Sequence, residues 1–151
     1  MKKVITAFAF SLTTISYSQA NTFTDPIDSI NKKVVESFNK DFSNAHNINW
    51  ERKNYFVLAT FSLNNQVMFA YYTIDGVRIA VTRNILSDKL PITLLLSLKK
   101  DYQNHWISDL YEVNSNNNTI YYITIENANY KLELKSVNDG NWEIFAKEEK
   151  E

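Results

Sequence analysis

The order of hydrophobic periodicities is the feature that most constrains the fold of this chain. A stretch with apolar residues three and four positions apart precedes four short stretches in which apolar and polar residues alternate, and the same order then recurs. The first period is that of an amphipathic helix, and the second is that of a β-strand with one buried face. The sequence therefore predicts an α+β protein of two tandem helix-plus-four-strand units, at about residues 27–83 and 90–146.

Two segments carry the helical period. The first begins near residue 27, with Asp28 or Ser29 as candidate caps, and the second opens at Pro91, where a missing N–H is tolerated. The predicted apolar stripe of the first helix is Ile27, Ile30, Val34, Val35, Phe38 and Phe42, and that of the second is Ile92, Leu95, Leu96, Leu98 and Tyr102. We predict strands near residues 47–51, 55–63, 67–73, 77–83, 106–113, 119–126, 130–136 and 142–146.

The chain has only two glycines, and each follows an aspartate between two predicted strands. A three-residue hairpin loop with its glycine at positive φ places the apolar residues of each hairpin on one side, so we predict positive φ at Gly76 and Gly140. In the second hairpin this loop pairs Leu134 with Ile144 and Leu132 with Ala146. In the first it pairs Tyr71 with Ile79 and Phe69 with Val81, and the other face then carries Met68, Ala70, Tyr72, Arg78, Ala80 and Thr82.

The first 20 residues have the composition of a secretory signal peptide. Lys2 and Lys3 precede an apolar stretch at positions 4–15, and Ser18 and Ala20 place small residues at a cleavage site. No second apolar run of membrane-spanning length follows. We therefore predict cleavage after Ala20, a periplasmic or secreted location, a single domain over residues 21–147 and a loose charged tail at 148–151.

Composition argues against several classes of function. The chain has no cysteine for thiolate chemistry, a net charge of −1 that does not suit nucleic acid, and too few glycines for a phosphate loop or a serine-hydrolase elbow. His46 and His105 could share a metal, but no third ligand stands at a metal-site spacing. Asp75 and Asp139 are explained by turn chemistry. We therefore predict no catalytic residue, cofactor or metal, and expect that the chain is not an enzyme.

The first half of the chain also resembles a known family. Residues 38–91 are similar to the exported PepSY-like proteins of Bacteroidetes, also described as beta-lactamase-inhibitor-protein-like, abbreviated BLIP-like. The matching positions, in the same order and spacing, are Phe42, Ala45, Ile48, Trp50, Ala59 to Phe61, Tyr72, Asp75, Gly76, Leu90 and Pro91. The resemblance implies that both units share one antiparallel sheet, with helices on one face and the other face open. In the inhibitor protein such a face grips an enzyme, and PepSY-type modules are associated with restraining secreted peptidases.

These observations favour a non-catalytic exported binding module. It would dock or restrain a secreted peptidase or another envelope protein through the open sheet face. Aromatic, Met and Arg side chains are common anchors of protein interfaces, and the candidates predicted for that face are Met68, Tyr72, Arg78, Tyr122 and Phe145. The alternative is a carrier of a small lipophilic ligand, with a pocket between the helices and the sheet.

Overall fold

A computed structural model describes residues 30–150, which form two helices and one eight-stranded sheet. Each helix precedes four strands in the chain, and a short 3-10 helix at Ser87–Lys89 lies between the halves. The elements are α1 (Lys32–Asp41), β1 (His46–Arg52), β2 (Val57–Leu63), β3 (Gln66–Tyr72), β4 (Arg78–Asn84), α2 (Ile92–Asp101), β5 (Trp106–Ser115), β6 (Asn118–Glu126), β7 (Tyr130–Val137) and β8 (Glu143–Glu149).

The sheet is an antiparallel meander in which every strand pairs with its neighbours in the chain. The spatial order is β1 to β8, and β4 and β5 join the two halves at the centre. Alternate residues of each strand face opposite sides. The register places Val81 opposite Asn114 and Arg83 opposite Glu112, so the helix-facing residues of both halves lie on one side of the sheet. The fold is thus α+β, with an open sheet.

The first helix starts at a side-chain cap. The Asn31 side chain accepts a hydrogen bond of 3.0 Å from the backbone N–H of Lys33, which satisfies one of the free donors at the helix start. Val34 and Phe38 are fully buried on the predicted stripe. The predicted caps Asp28 and Ser29, like Ile27, lie outside the described residues.

The second helix buries only part of the predicted stripe. Leu98 is buried, and Leu95 and Tyr102 pack against the same cluster. Leu94, outside the predicted stripe, is also buried, whereas Ile92 and Leu96 are 65% and 58% exposed. The segment ITLLLSL has apolar residues on almost every side, so periodicity alone does not select a face. The contact with the sheet makes that selection.

Each helix packs on its own part of the sheet. Around α1 the buried side chains are Ile30, Val34, Phe38, Val57, Ala59, Phe61, Ala70 and Tyr72. Around α2 they are Leu90, Leu94, Leu98, Leu110, Tyr121, Ile123, Ile125, Leu132 and Leu134. The ion pair between Arg83 and Glu112 lies on the same face, on the two strands that join the halves, with Nη2 and Oε2 3.2 Å apart.

The first Asp-Gly hairpin has the predicted loop. The Thr73 N–H donates to the Val77 carbonyl at 2.8 Å and the Gly76 N–H donates to the Thr73 carbonyl at 3.0 Å, which closes three residues between them. Gly76 has a φ of 90°, as predicted. A Cβ at this position would lie 2.8 Å from the Lys33 carbonyl oxygen, so glycine also allows the loop to approach α1 closely.

The second Asp-Gly hairpin differs from the prediction. The positive φ values belong to Asn138 and Asp139, at 49° and 60°, and Gly140 donates its N–H to the Val137 carbonyl at the end of that turn. These are the features of a type I′ turn, whose two central residues both need positive φ. The predicted positive φ at Gly140 was therefore wrong. Leu134 pairs with Ile144 as predicted, but an irregularity at Glu133 and Leu134 pairs Leu132 with Lys147 instead of Ala146.

The faces of β3 are the reverse of those predicted, and a bulge on β4 changes which residues of the two strands share a face. Tyr72 pairs with Arg78, as the three-residue loop requires, but Tyr71 pairs with Ala80, which leaves Ile79 as an extra residue. The next pair is Ala70 with Val81, so Met68, Ala70 and Tyr72 face the helix and Phe69 and Tyr71 face the open side. The prediction that Met68, Tyr72 and Arg78 lie on the open face was wrong.

The C-terminal charged segment is ordered structure. Strand β8 continues through Glu149, and the Lys150 N–H donates to the Asn129 carbonyl at 2.8 Å. The Lys150 ammonium lies 2.7 Å from the Glu126 carboxylate and 4.6 Å from the centre of the Trp106 ring. The predicted loose tail from residue 148 was therefore wrong as far as Lys150, and Glu151 lies outside the described residues.

Candidate functional site

The open face of the sheet carries a cavity of about 520 Å³, which we call the aromatic cleft. Both helices lie on the opposite face, and no segment of residues 30–150 covers this one. The volume is in the range of ordinary ligand and side-chain pockets. The cleft is lined by Tyr55, Phe56, Phe69, Tyr71, Ile79, Ala80, Thr82, Asn84, Tyr111, Val113, Tyr122, Glu133 and Phe145.

The shape of the cleft follows from residue size along the central strands. Small side chains at Ala80, Thr82 and Val113 on β4 and β5 form its floor. Aromatic rings rise on either side, from β3 and the β1–β2 loop on one side and from β5, β6 and β8 on the other. The face is thus a trough between two aromatic walls.

The two walls are held by ring contacts. On one side the rings of Phe56 and Tyr71 have centroids 5.7 Å apart. On the other side the Tyr111 and Tyr122 rings stack at 5.1 Å with an angle of 14°, and the Phe145 ring meets Tyr122 edge-on at 5.6 Å. All three separations are typical of favourable aromatic pairs, so these rings are oriented by their neighbours before anything binds.

One carboxylate lies in this aromatic surface. The Tyr111 hydroxyl donates a long hydrogen bond of 3.4 Å to Glu133 Oε1. Burial raises the pKa of Glu133, since the charged form loses hydration, while the hydrogen bond from Tyr111 and the charge of Lys131 act in the opposite direction. Burial also raises the pKa of Tyr111, and the charge of Glu133 adds to that rise. Tyr111 therefore stays a neutral hydrogen-bond donor at physiological pH.

A cation lies at the rim of the cleft. The Lys135 ammonium is 5.7 Å from the Tyr122 ring centre and 5.9 Å from that of Phe145, within the range of cation–π attraction. Lys135 and Glu133 are two residues apart on β7 and share its open face. The rim is therefore mixed in charge.

Two of the five predicted interface residues lie at the cleft. Tyr122 and Phe145 line it, as their predicted face requires. Tyr72 is instead fully buried beneath α1, and its hydroxyl donates to Asp41 Oδ2 at 3.1 Å. Arg78 also turns toward α1, with Nη1 3.1 Å from the same Asp41 oxygen, and Met68 packs against the α1 cluster.

Sequence reasoning missed four central residues of the cleft, namely Phe69, Tyr71, Tyr111 and Glu133. The signal for Tyr111 and Glu133 was present, because each alternates with leucines that face the helix, at Leu110 on β5 and at Leu132 and Leu134 on β7. No comparable signal existed for Phe69 and Tyr71, because both faces of β3 are apolar in sequence and the packing of α1 decides which one is buried.

A second cavity of about 660 Å³ lies beside α1 on the other face. Its lining is mainly polar and includes Lys40, Asp41, Arg78 and the asparagine-rich hairpin at residues 114–118. It therefore does not match the apolar pocket that the carrier alternative placed between helices and sheet.

The histidines and acids do not form a metal site in the part of the chain that the structure describes. Residues 30–150 contain no group of three or more His, Cys, Asp or Glu side chains placed to hold a metal ion. His105 Nε2 lies 3.0 Å from Asn127 Nδ2, and its ring packs between Tyr102 and Tyr130. The contacts of His105 are therefore with neighbouring polar and aromatic side chains of the fold.

The fold has counterparts among solved structures. A DUF2874 family protein from Bacteroides ovatus superposes with a TM-score of 0.68 at 17% sequence identity, over 78% of this chain and 86% of that one. The fold is also that of a BLIP-like protein. That BLIP-like protein, from Bacteroides fragilis, superposes with a TM-score of 0.68 at 17% identity, over 79% of this chain and 85% of that one. A predicted periplasmic protein from Bacteroides eggerthii gives the same TM-score at 14% identity, over 79% of this chain and 88% of that one.

The BLIP-like part of the resemblance is thereby supported at the level of the fold. No protein-family model matches the sequence, and no curated protein does. The PepSY-like part stays a prediction. Among the helices within residues 30–150, none combines the length and the apolar character needed to cross a membrane.

Proposed function

We propose that this chain is an exported, non-catalytic binding module that docks or restrains a protein partner through its open sheet face. The observation that carries the proposal is the aromatic cleft, a trough of preoriented rings on the one face of the sheet that the helices leave uncovered. Tyrosine and phenylalanine contribute large contact areas at low entropic cost and dominate interface energetics. A secreted peptidase or another envelope protein is the partner class we favour.

The chemistry of the cleft favours recognition over catalysis. Burial raises the pKa values of Tyr71 and Tyr111, so both remain protonated and can donate hydrogen bonds at neutral pH. Glu133 is engaged by one of these hydroxyls. Such groups orient a bound surface, and we propose no catalytic role for them.

An exported location is part of the same proposal. The leader composition at residues 1–20 supports it. The similarity in fold to a predicted periplasmic protein of Bacteroides eggerthii is consistent with it. N-terminal sequencing of protein recovered from the periplasm should begin at Asn21, and a chain retained in the cytoplasm with its leader intact would contradict the proposal.

We also propose that the two halves are tandem copies of one unit. Both helices end with the same hydrogen bond at an aromatic residue. The Phe42 N–H donates to the Phe38 carbonyl at 2.8 Å, and the Tyr102 N–H donates to the Leu98 carbonyl at 2.9 Å. Both first strands also have an irregular register near their start. The test is to express the halves separately, split after Asn84, and mix them. Equivalent units should reassemble into a cooperatively unfolding sheet, and failure of both halves to associate would count against the proposal.

Partner capture tests the docking face. The bait is the full chain carrying Tyr71→Ala and Tyr122→Ala, compared with the parent chain in capture from periplasmic extract. The matched control is Ile92→Ala with Leu96→Ala, which removes exposed apolar side chains from the helix side. We expect the cleft variant to lose a partner that the parent and the control retain. Equal recovery by all three would contradict docking through this face.

The alternative function, a carrier of a small lipophilic ligand, now places the ligand on the open face of the sheet, because the apolar cavity lies there and not between the helices and the sheet. Its volume of about 520 Å³ suits a small ligand. The core beneath α1 is filled, with Phe38 in ring contact with Trp50 and Phe61 at 5.1 and 4.9 Å. A fluorescent hydrophobic probe that binds the parent but not Tyr122→Ala would favour this alternative, provided that the partner capture fails.

A further inference from the structure

The inference concerns the chemistry of what enters the aromatic cleft, and it rests on the proposed function. Among the residues of 30–150 that line the cavity, only Glu133 has a formal charge. It is partly buried, and within the same residues its carboxylate has one hydrogen bond, the 3.4 Å contact with the Tyr111 hydroxyl, and no ion pair. Pairing with a cation lowers the free energy of a partly desolvated carboxylate of this kind.

The cations nearest in sequence do not satisfy this carboxylate. Lys131 and Lys135 flank Glu133 on the same face of β7, and the charge of Lys131 is felt at its carboxyl group. The Lys135 ammonium is instead placed over the rings of Tyr122 and Phe145. The acid Asp109 adds negative charge from β5. The wall of the cleft at Tyr111 therefore carries the negative charge of Glu133, while the neighbouring open-face positions of β7 carry lysine.

The rings around Glu133 reinforce the preference for a cation. The face of an aromatic ring carries negative charge density, which attracts ammonium and guanidinium groups and repels carboxylates. An arginine suits the trough better than a lysine, because its planar guanidinium can stack on a ring while its N–H groups reach a carboxylate. Its aliphatic stem can also cover apolar surface.

We propose that the aromatic cleft receives an arginine side chain projected by a loop of the protein partner. The guanidinium pairs with Glu133 and its stem lies along the rings of Tyr111 and Tyr122. An acidic side chain would be repelled both by the Glu133 carboxylate and by the negative charge density of the ring faces. A purely apolar side chain would remove the remaining water from the Glu133 carboxylate without providing a new hydrogen-bond or charge partner, which costs free energy.

The test uses two blocked heptapeptides, acetyl-Ser-Gly-Leu-X-Leu-Gly-Ser-amide with arginine or citrulline at X. Each is titrated against the folded chain that lacks only the predicted leader. Citrulline has nearly the shape of arginine but no charge. Backbone amide shifts locate and quantify binding. We expect shifts at Tyr111, Tyr122 and Glu133, with the arginine peptide bound about tenfold more tightly than the citrulline peptide.

Three charge-neutralising variants test the mechanism. Glu133→Gln should reduce arginine-peptide affinity to that for the citrulline peptide and leave the latter unchanged. Glu36→Gln, an exposed site on α1 whose side chain is 63% accessible, is the matched control and should change neither. The amide spectrum of each variant verifies that it is folded. Lys135→Met should tighten arginine binding, since it removes a like charge from the rim.

Each outcome has a defined meaning. Equal affinity of both peptides at the cleft would overturn the arginine preference and leave docking through this face intact. Shifts confined to the helix side, or no shifts with either peptide, would overturn the inference. The partner-capture experiment then decides separately whether the proposed docking face also fails. Loss of arginine binding in Glu36→Gln as well as in Glu133→Gln would show a nonspecific charge effect and would also overturn it.

Discussion

The Tyr72 hydroxyl donates a hydrogen bond to the Asp41 carboxylate, with Oη and Oδ2 3.1 Å apart. This contact joins the end of β3 to the last turn of α1, and Arg78 reaches the same oxygen from β4. A residue that sequence analysis placed in a partner interface is therefore a fully buried tie between helix and sheet.

Removing this hydroxyl should destabilise the fold. Tyr72→Phe keeps the ring but loses the hydrogen bond to a charged acceptor, so we expect a loss of about 1–2 kcal/mol in the free energy of unfolding. Urea denaturation measures it. Tyr55→Phe, at a ring that is 86% exposed, is the control and should change little. An unchanged midpoint for Tyr72→Phe would mean that the bond to Asp41 contributes no net stability.

The same tyrosine should contribute to alkaline sensitivity. Burial, and then the charge of Asp41, raises the pKa of Tyr72 above its ordinary value of 10.0. Above that pH the unfolded chain releases the proton while the folded chain keeps it, so stability is intact below pH 10 and falls as pH rises. The expected slope is about 1.4 kcal/mol per pH unit for this group. Tyr72→Phe should show a shallower decline above pH 10 by denaturation, and an identical decline would contradict the assignment.

The two glycines should respond differently to alanine. Gly76→Ala places a side chain at a φ of 90° and 2.8 Å from the Lys33 carbonyl, so we expect a loss of about 2–3 kcal/mol. Gly140 has no positive φ, and its added Cβ would meet only the Val137 carbonyl at 3.0 Å, so Gly140→Ala should lose about 1 kcal/mol or less. Thermal and urea unfolding of both variants measure the two losses. A larger loss of stability for Gly140→Ala than for Gly76→Ala would contradict the prediction.

The ion pair at the centre of the sheet should show strong coupling. Glu112 is largely buried, and Arg83 Nε is buried without a hydrogen-bond partner in residues 30–150. Glu112→Leu should therefore lose about 1–3 kcal/mol, because Arg83 is left without its acid. Arg83→Met combined with Glu112→Leu should recover most of that loss in a double-mutant cycle. Simple addition of the two single effects would contradict coupling across β4 and β5.

The end of β8 should depend on Lys150. Its ammonium contacts Glu126 at 2.7 Å and the Asn127 carbonyl at 3.0 Å, and it lies over the Trp106 ring. We expect Lys150→Met to lose about 0.5–1 kcal/mol and to speed hydrogen exchange at the amides of β7 that pair with β8. Lys99→Met, on the last turn of α2, is the control. Unchanged exchange would show that β8 is held by its backbone alone.

Much of the architecture could be predicted from local patterns. The helix containing Val34 and Phe38 has a clear polar face, and the alternation of Leu132 and Leu134 with charged residues places the face of β7 correctly. The three-residue loop that ends at Gly76 was also predictable, because few residues other than glycine tolerate that φ. These features depend on contacts between residues near each other in the chain.

The sequence by itself determined the order and type of the elements, since apolar periodicity and turn residues act locally. The tertiary structure decided which side of β3 is buried. Both faces of VMFAYY are apolar, so alternation could not choose, and one extra residue at Ile79 shifts every later pair. Ala70 and Tyr72 face α1, where Phe38 packs against the Tyr72 ring at 6.4 Å and Asp41 accepts its hydroxyl. Phe69 and Tyr71 are left for the cleft, because only the packing of a whole helix on the sheet distinguishes the two faces.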